Sequence, residues 1–478
     1  MSELKQKTTN GLKWSAIERI ATQAIQLIVM LILGRMLGPE AFGLVGMLAI
    51  FIAISQTFVD SGFSSALIRK QERSEADYAT TFYFNIVVSL SCYVLLFICA
   101  PYIADFYHQP ELINLTRVLG IVILANAFAI VQRTRLTVVM DFKTQAKASL
   151  LSVSCSTIIA LVLAYCNFGV WSLVGQTLSF AIINVILLNV FDPWLPKCWF
   201  SKSSFKELFG FGSKLLASGL LDTVYNNIYQ IIIGKLFNTG QLGLFSQAKN
   251  LSSIPAMTLT GVIQRVTYPM MSHIQNDQQA LDKAYLLTLR LAAVVIFPII
   301  IGLGLIAKPL LSVLLGEEWQ SAAELMSILC IGYMLYPIHA INLNLLQVKG
   351  RSDLFLQLEI IKKVVTTIVL VITVPLGIKA ICVGIVIQSY LALFINTYYT
   401  GKLSSLTMLK QFKVLIFIWL LTLGCAAIAS LWYLIIGNDI IQLGLIVITA
   451  LSLYFIVIKY LQSDLFDYII KMIFRKSN

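Results

Sequence analysis

Charge is scarce in this 478-residue chain: 12% of its residues are Asp, Glu, Lys or Arg, against about 25% in an ordinary soluble domain. With 58% hydrophobic residues and a mean hydropathy of +0.84, a soluble globule is excluded and a bilayer is the fitting solvent. Long linkers are missing too. No connection between apolar runs exceeds about 20 residues, which leaves no room for a separate soluble domain. There are three histidines, and the eight cysteines are scattered through apolar segments without a C-x-x-C or any other ligand spacing. A metal centre is therefore not expected, and the cysteines read as small hydrophobes within helices. No Gly-rich phosphate loop, no paired carboxylates on a loop and no Ser/His/Asp set is present. Catalytic residues, metals and cofactors are accordingly expected to be absent, and the chain is not read as an enzyme.

What is abundant is the apolar run of about 20 residues, the length a helix needs to cross roughly 30 Å of hydrocarbon. About 14 such spans follow from hydropathy and turn signals, at about 12–36, 44–66, 80–104, 112–133, 144–166, 170–190, 208–236, 244–272, 284–307, 322–347, 355–375, 378–400, 412–436 and 440–461. The connections alternate in character. "SALIRKQER", "VQRTRLTVVMDFKTQAK", "WLPKCWFSKSSFK", "QVKGRSD" and the tail "IIKMIFRKSN" are basic, whereas "YHQPEL", "NFG" and "IIGND" are short and nearly free of Lys and Arg. The positive-inside rule places the basic set and both termini in the cytoplasm. It also accounts for the net charge of +12 without nucleic acid as a partner. The first apolar segment carries Glu18 and Arg19 and lacks a small-x-small cleavage site, so it reads as a retained transmembrane helix and not as a signal peptide.

The chain repeats itself. "LILGRMLGPEAFGLVG" (31–46) has a degenerate copy in "IIIGKLFNTGQLGLFS" (231–246), with glycines meeting at 34/234 and 43/243 at a constant offset of 200. Six spans separate the copies, so both hairpins cross in the same direction and the halves are parallel repeats. A second correspondence aligns Gly169 with Gly377. The expected architecture is all-α and integral to the membrane: a six-helix lobe at 1–200, a second at 201–403, and two additional spans with a tail at 404–478.

Ionisable residues inside spans are costly and mark cavities, partners or pathways. Span one carries Ser15, Glu18, Arg19, Thr22, Gln23 and Gln26 at spacings of three and four, hence on one helical face. Span seven carries Ser218, Asp222, Tyr225, Asn226, Tyr229 and Gln230, and the offset of 200 carries 18, 22 and 26 onto 218, 222 and 226. Asp60 and Ser64 map likewise onto Thr260 and Gln264. Four polar faces in register suggest a water-filled central cavity. Its balance is cationic: Arg19, Arg117, Lys214, Lys249, Arg265 and Arg290, with Lys362 and Lys363 near the start of span eleven, against Glu18, Asp60, Asp222 and Glu359. An anionic substrate fits that sign. Arg19, Lys214, Lys249, Arg265 and Arg290 are the candidate substrate-binding residues; Glu18, Asp60 and Asp222 are the candidate ion-coupling carboxylates. The competing account is local: the acids pair with neighbouring bases, while Lys214 and Lys362 snorkel to the interface. Pro255, Pro298, Pro337 and Pro375 bend their spans or serve as hinges. His339 reads as a packed polar residue.

The motifs "LGRMLGPEAFGLVGMLAIF", "DSGFSSALIRKQE", "APYIADFYHQPEL" and "RVLG", in that order, resemble the polysaccharide transporters of the MOP flippase superfamily, of the Wzx and colanic-acid-exporter type. The likeness covers roughly 1–400. It implies a 14-helix, two-lobed, MATE-like protein of the bacterial inner membrane. The implied activity is flipping of undecaprenyl-diphosphate-linked oligosaccharides for O-antigen, lipopolysaccharide or exopolysaccharide synthesis, beside polymerase and chain-length proteins of the same pathway. Coupling to a proton or sodium gradient, or to consumption of the cargo, would drive it. A multidrug extruder of the same superfamily is the alternative, although cationic drugs favour an acidic cavity. A membrane polymerase or glycosyltransferase would need a substantial loop that the chain does not have.

Overall fold

The computed structural model describes residues 2–462; the basic tail assigned above to the cytoplasm lies outside them. The described residues are helical with short connections. In order they form α1 (Ser2–Asp60), α2 (Phe63–Arg69), α3 (Glu75–Tyr107), α4 (Leu112–Val138), α5 (Phe142–Tyr165), α6 (Trp171–Phe191), α7 (Lys202–Leu236), α8 (Thr239–His273) and α9 (Gln278–Leu305). There follow α10 (Ala307–Leu314), α11 (Gln320–Tyr333), α12 (Tyr336–Val348), α13 (Ser352–Thr373), α14 (Ile378–Leu403), α15 (Met408–Ser430), α16 (Trp432–Ile435) and α17 (Asp439–Leu461).

Ten segments among the described residues are long and apolar enough to cross a membrane. The first, Lys13–Arg69, holds two arms, because α1 breaks at Gly38 (φ 71°, ψ 176°) just before Pro39. Glycine tolerates that positive φ, and proline suits the first turn of the next arm. The helices left outside the apolar set include α7, α8 and α13, and these carry Lys214 and Asp222, Lys249 and Arg265, and Glu359, Lys362 and Lys363. Low hydropathy in a long helix marks the polar stripes expected from the sequence. With these three and both arms of α1, the fold has the expected fourteen long helical passes among the described residues, counting α11 and α12 as one. Large apolar side chains cover the outside as well as the core. Leu95 (64%), Ile98 (62%) and Leu434 (84%) lie on the outside, whereas Asn85, Ser89, Asn342 and Asn396 are fully buried. That is the pattern of a chain solvated by hydrocarbon.

By its internal contacts the chain divides into two compact units, Met1–Gly243 and Leu244–Asn478. The lobe limits at 200/201 express repeat symmetry; contacts group α7 with the first unit because α7 packs on both α1 and α3. In that unit α5 packs on α6 and α1, and α4 on α3 and α6. The second arm of α1 runs antiparallel to α7. Met47 lies at Gly234, Thr57 Oγ1 is 3.0 Å from Thr223 Oγ1, and Gly62 meets Gly212. The arm stops earlier than the 44–66 expected, at Asp60, where Ser61 and Gly62 take positive φ (43° and 70°). Ser74 and Asp77 form a capping box that starts α3. Beside it Lys70 reaches Asp77 (3.0 Å) and Glu207 (2.9 Å), tying α3 to α7. The hydrogen bond that Lys70 donates to Glu207 raises the pKa of Lys70 above its ordinary value, with Asp77 adding to the effect.

The repeated motif explains itself in this unit. A Cβ on Gly43 would sit 1.8 Å from the carbonyl oxygen of Thr239, and a Cβ on Gly243 would sit 1.9 Å from the carbonyl oxygen of Pro39. Adding 200 to one residue and subtracting it from the other turns the first contact into the second. The two copies therefore touch reciprocally, backbone against backbone, and glycine is the residue that permits the approach.

In the second unit α9 packs on α15 and α11, α14 on α11 and α13, and α15 on α17. The expected tenth span is interrupted between Tyr333 and Tyr336, because the Pro337 ring has no N–H and crowds the carbonyl four residues back. A buried polar knot joins four helices: the Tyr285 hydroxyl lies within hydrogen-bond distance of Asn342, Thr400 and Gln411 (2.9 Å to Gln411 Oε1). Asp282 accepts from the backbone N–H of Ser405 at 2.9 Å, which anchors the connection from α14 to α15. His339 is indeed packed, with Nε2 3.1 Å from Ser389 Oγ and Nδ1 3.3 Å from Asn396 Nδ2.

Candidate functional site

All six residues of the first polar stripe, Ser15, Glu18, Arg19, Thr22, Gln23 and Gln26, line one cavity of about 460 Å³ inside the first unit. The period of the helix delivers them to one side, and the burial of α1 against α5 aims that side inward. The facing wall comes from α4 (Arg133), α5 (Gln145, Ser149) and α6 (Phe180, Asn184, Leu188). Asp141 caps the N-terminus of α5, accepting from Thr144 N at 3.1 Å and Thr144 Oγ1 at 2.7 Å, so that Gln145 and Ser149 fall one turn apart on the cavity side. Ser149 Oγ donates to Glu18 Oε1 at 2.6 Å. Arg133 Nη2 donates to Asn184 Oδ1 at 2.6 Å, and Asn184 Nδ2 in turn donates to Ser152 Oγ at 3.4 Å. Glu18 is close enough to attract Arg133 electrostatically. Arg133 lies deep in the protein, yet its side chain is exposed, because it opens on the cavity.

The other expected site residues are distributed as follows. Asp60 ends α1 exposed and accepts from Ser64 Oγ at 2.6 Å. Lys214 and Asp222 are exposed on α7, and neither lines the cavity that holds Glu18. In the second unit Lys249 is half-buried and Arg265 exposed on α8. Arg290 on α9 donates to Gln462 Oε1 at 2.6 Å, just beyond α17. Two further charges of the surplus are engaged locally: Arg117 stacks on Phe97, 4.4 Å from the ring centre, and Lys362 pairs with Glu359 one turn away.

Sequence reasoning missed Arg133, Gln145, Ser149 and Asn184. The first two fell in a connection that the positive-inside rule had already explained, and α4 runs five residues past the expected end of span four. Asn184 did carry a signal, as an amide within the apolar stretch "AIINVILLNVF". No group of three or more His, Cys, Asp or Glu able to hold a metal occurs among the described residues.

The family described as "Polysaccharide biosynthesis protein" matches residues 32–324, more than half of the chain. The chain belongs to the polysaccharide biosynthesis protein family. This member is similar to the teichuronic acid biosynthesis protein TuaB of Bacillus subtilis, 26% identical over 74% of each chain. It is similar also to the lipopolysaccharide biosynthesis protein WzxC of Escherichia coli, 24% identical over 82% of this chain and 80% of that one. Among solved structures, the lipid II flippase MurJ in an inward closed conformation superposes with a TM-score of 0.72 at 13% identity, covering 93% of this chain and 99% of MurJ. An inward-facing multidrug resistance MATE transporter of the MOP superfamily gives 0.60 at 18% identity, over 80% of this chain and 97% of that one. The fold is that of MOP transporters. The chain is thus a multi-pass membrane protein of the polysaccharide biosynthesis family.

Proposed function

We propose that this protein flips an undecaprenyl-diphosphate-linked polysaccharide repeat unit across the bacterial inner membrane by alternating access. The observation that carries the reading is the polar cavity of the first unit, built from side chains too costly to keep in hydrocarbon without a purpose, in a member of the polysaccharide biosynthesis family. Arg19, Lys214, Lys249, Arg265 and Arg290 supply the cations for an anionic cargo, and Arg133 joins them. A multidrug extruder of the same fold is the weaker reading, because these cations would repel cationic drugs. Polymerase and chain-length proteins would take up the cargo on the far side.

The direct test is reconstitution. Proteoliposomes holding the wild type should translocate a labelled undecaprenyl-diphosphate oligosaccharide, and alanine at Arg19, Lys249, Arg265 or Arg290 should slow translocation about tenfold or more. Loss of one charge-assisted contact in a dry site costs about 1.5–3 kcal/mol. Lys for Arg, and Arg for Lys, should be gentler. Normal transport by all four folded alanine variants would remove the cationic-cargo reading.

The proposed orientation has its own test. Single cysteines near residues 72, 138, 202, 278, 350 and 407, and at both termini, should react only with reagents that reach the cytoplasm. Labelling at 202 from the periplasm would overturn it.

A further inference from the structure

We infer that the cavity of the first unit receives an acidic sugar of the glycan, a hexuronate or a comparable carboxylate-bearing residue, and not the diphosphate. The inference rests on the cargo being a lipid-linked glycan, and deepens that reading. Its first support is charge. The ionisable groups of the lining are Arg19, Arg133 and Glu18, which leave one net positive charge. A carboxylate neutralises that charge, whereas a diphosphate overloads it and meets Glu18 as a like charge. Glu18 is fixed at this spot by Ser149, so the repulsion is built in.

The second support is the remaining chemistry of the wall. Gln23, Gln26, Gln145 and Asn184 offer amides that both donate and accept, matching the dual character of sugar hydroxyls, and Phe180 offers an apolar face of the kind that the C–H side of a pyranose ring covers. Thr22 Oγ1, buried in the same lining, has no hydrogen-bond partner among the described residues, a state that a bound hydroxyl would relieve. A volume of about 460 Å³ suits a short run of sugar rings and lies within the ordinary range for ligand sites, about 300–1,000 Å³.

The third support is preorganisation. Asn184 orients the Arg133 guanidinium through one N–H, and the exposed part of the group turns to the cavity, available for the two parallel bonds that a carboxylate accepts. Arg133 is then the residue that selects for the carboxylate, and Glu18 is the one that rejects dianions.

Full-length protein in lipid nanodiscs tests this with methyl glucuronide, its neutral methyl ester and inorganic pyrophosphate, with binding followed by calorimetry or ligand-observed NMR. The glucuronide should bind about tenfold or more tightly than the ester. Arg133→Gln should reduce glucuronide binding to the level of the ester without changing pyrophosphate binding, and Arg133→Lys should keep part of the preference. Gln26→Glu removes no existing charge and should abolish the preference by adding a negative one; thermal melts of each variant control for folding. Equal binding of glucuronide and ester, no binding of the glucuronide, or displacement of glucuronide by pyrophosphate in a manner that depends on Arg133 would each overturn the inference. The flippase reading stands apart from this result. It fails when proteoliposomes do not translocate the lipid-linked cargo, whatever the probes do.

Discussion

Gly43→Ala and Gly243→Ala should each leave almost no folded protein, measured as monodisperse material after solubilisation and as a melting temperature in detergent. The added methyl groups would lie 1.8 Å and 1.9 Å from the carbonyl oxygens of Thr239 and Pro39, so the two backbones must part by more than an ångström. Overpacking usually costs about 1–3 kcal/mol because side chains can rotate away. Here the obstructing atoms are backbone, no rotamer relieves them, and the cost should exceed about 3 kcal/mol. Gly424→Ala is the control. It lies within α15 with open space where the methyl would go, so the change should be neutral or stabilise by about 0.5–1 kcal/mol through helix propensity. Wild-type melting of both Gly43→Ala and Gly243→Ala would show that the close approach does not hold in the membrane.

The second large effect concerns energy coupling. With no nucleotide-binding loop in the sequence, directional transport should draw on an ion gradient or on consumption of the cargo. Asp222→Asn should leave the protein folded and abolish the dependence of transport on an imposed proton or sodium gradient in vesicles. Asp222 lies well inside the 35-residue α7, where a permanent carboxylate charge is hardest to sustain. Glu18→Gln and Asp60→Asn should weaken the dependence as well. Wild-type, gradient-dependent transport in all three variants would mean that the acids serve only to balance nearby bases.

Much of this arrangement was legible in the chain. Hydropathy located the helices because hydrocarbon imposes a single length and forbids unsatisfied backbone, and the limits of α4, α5 and α6 agree with expectation to within about five residues. The first stripe was legible because Ser15 to Gln26 follow one helical period. The opposing wall was not, since periodicity reports faces within a helix and says nothing about which helices meet. Arg133 is the instructive case. Its neighbour Arg135 pairs with Asp192 at 3.3 Å as an ordinary interfacial arginine would, whereas Arg133, two residues earlier and so on another side of the helix, turns into the cavity. Two arginines in one basic connection thus have different work, and only the packing of α4 on α6 separates them.

The reciprocal glycine contact also bears on ancestry. A residue pair that becomes another pair when its members trade places is the signature of an isologous two-fold interface between identical subunits. In a half-length ancestor the same glycine would have met its counterpart's turn across a homodimer, and one substitution would have struck both sides at once. After duplication and fusion the two turns would be free to differ, as Gly38–Pro39 and Asn238–Thr239 do, while the close approach demands glycine at both 43 and 243.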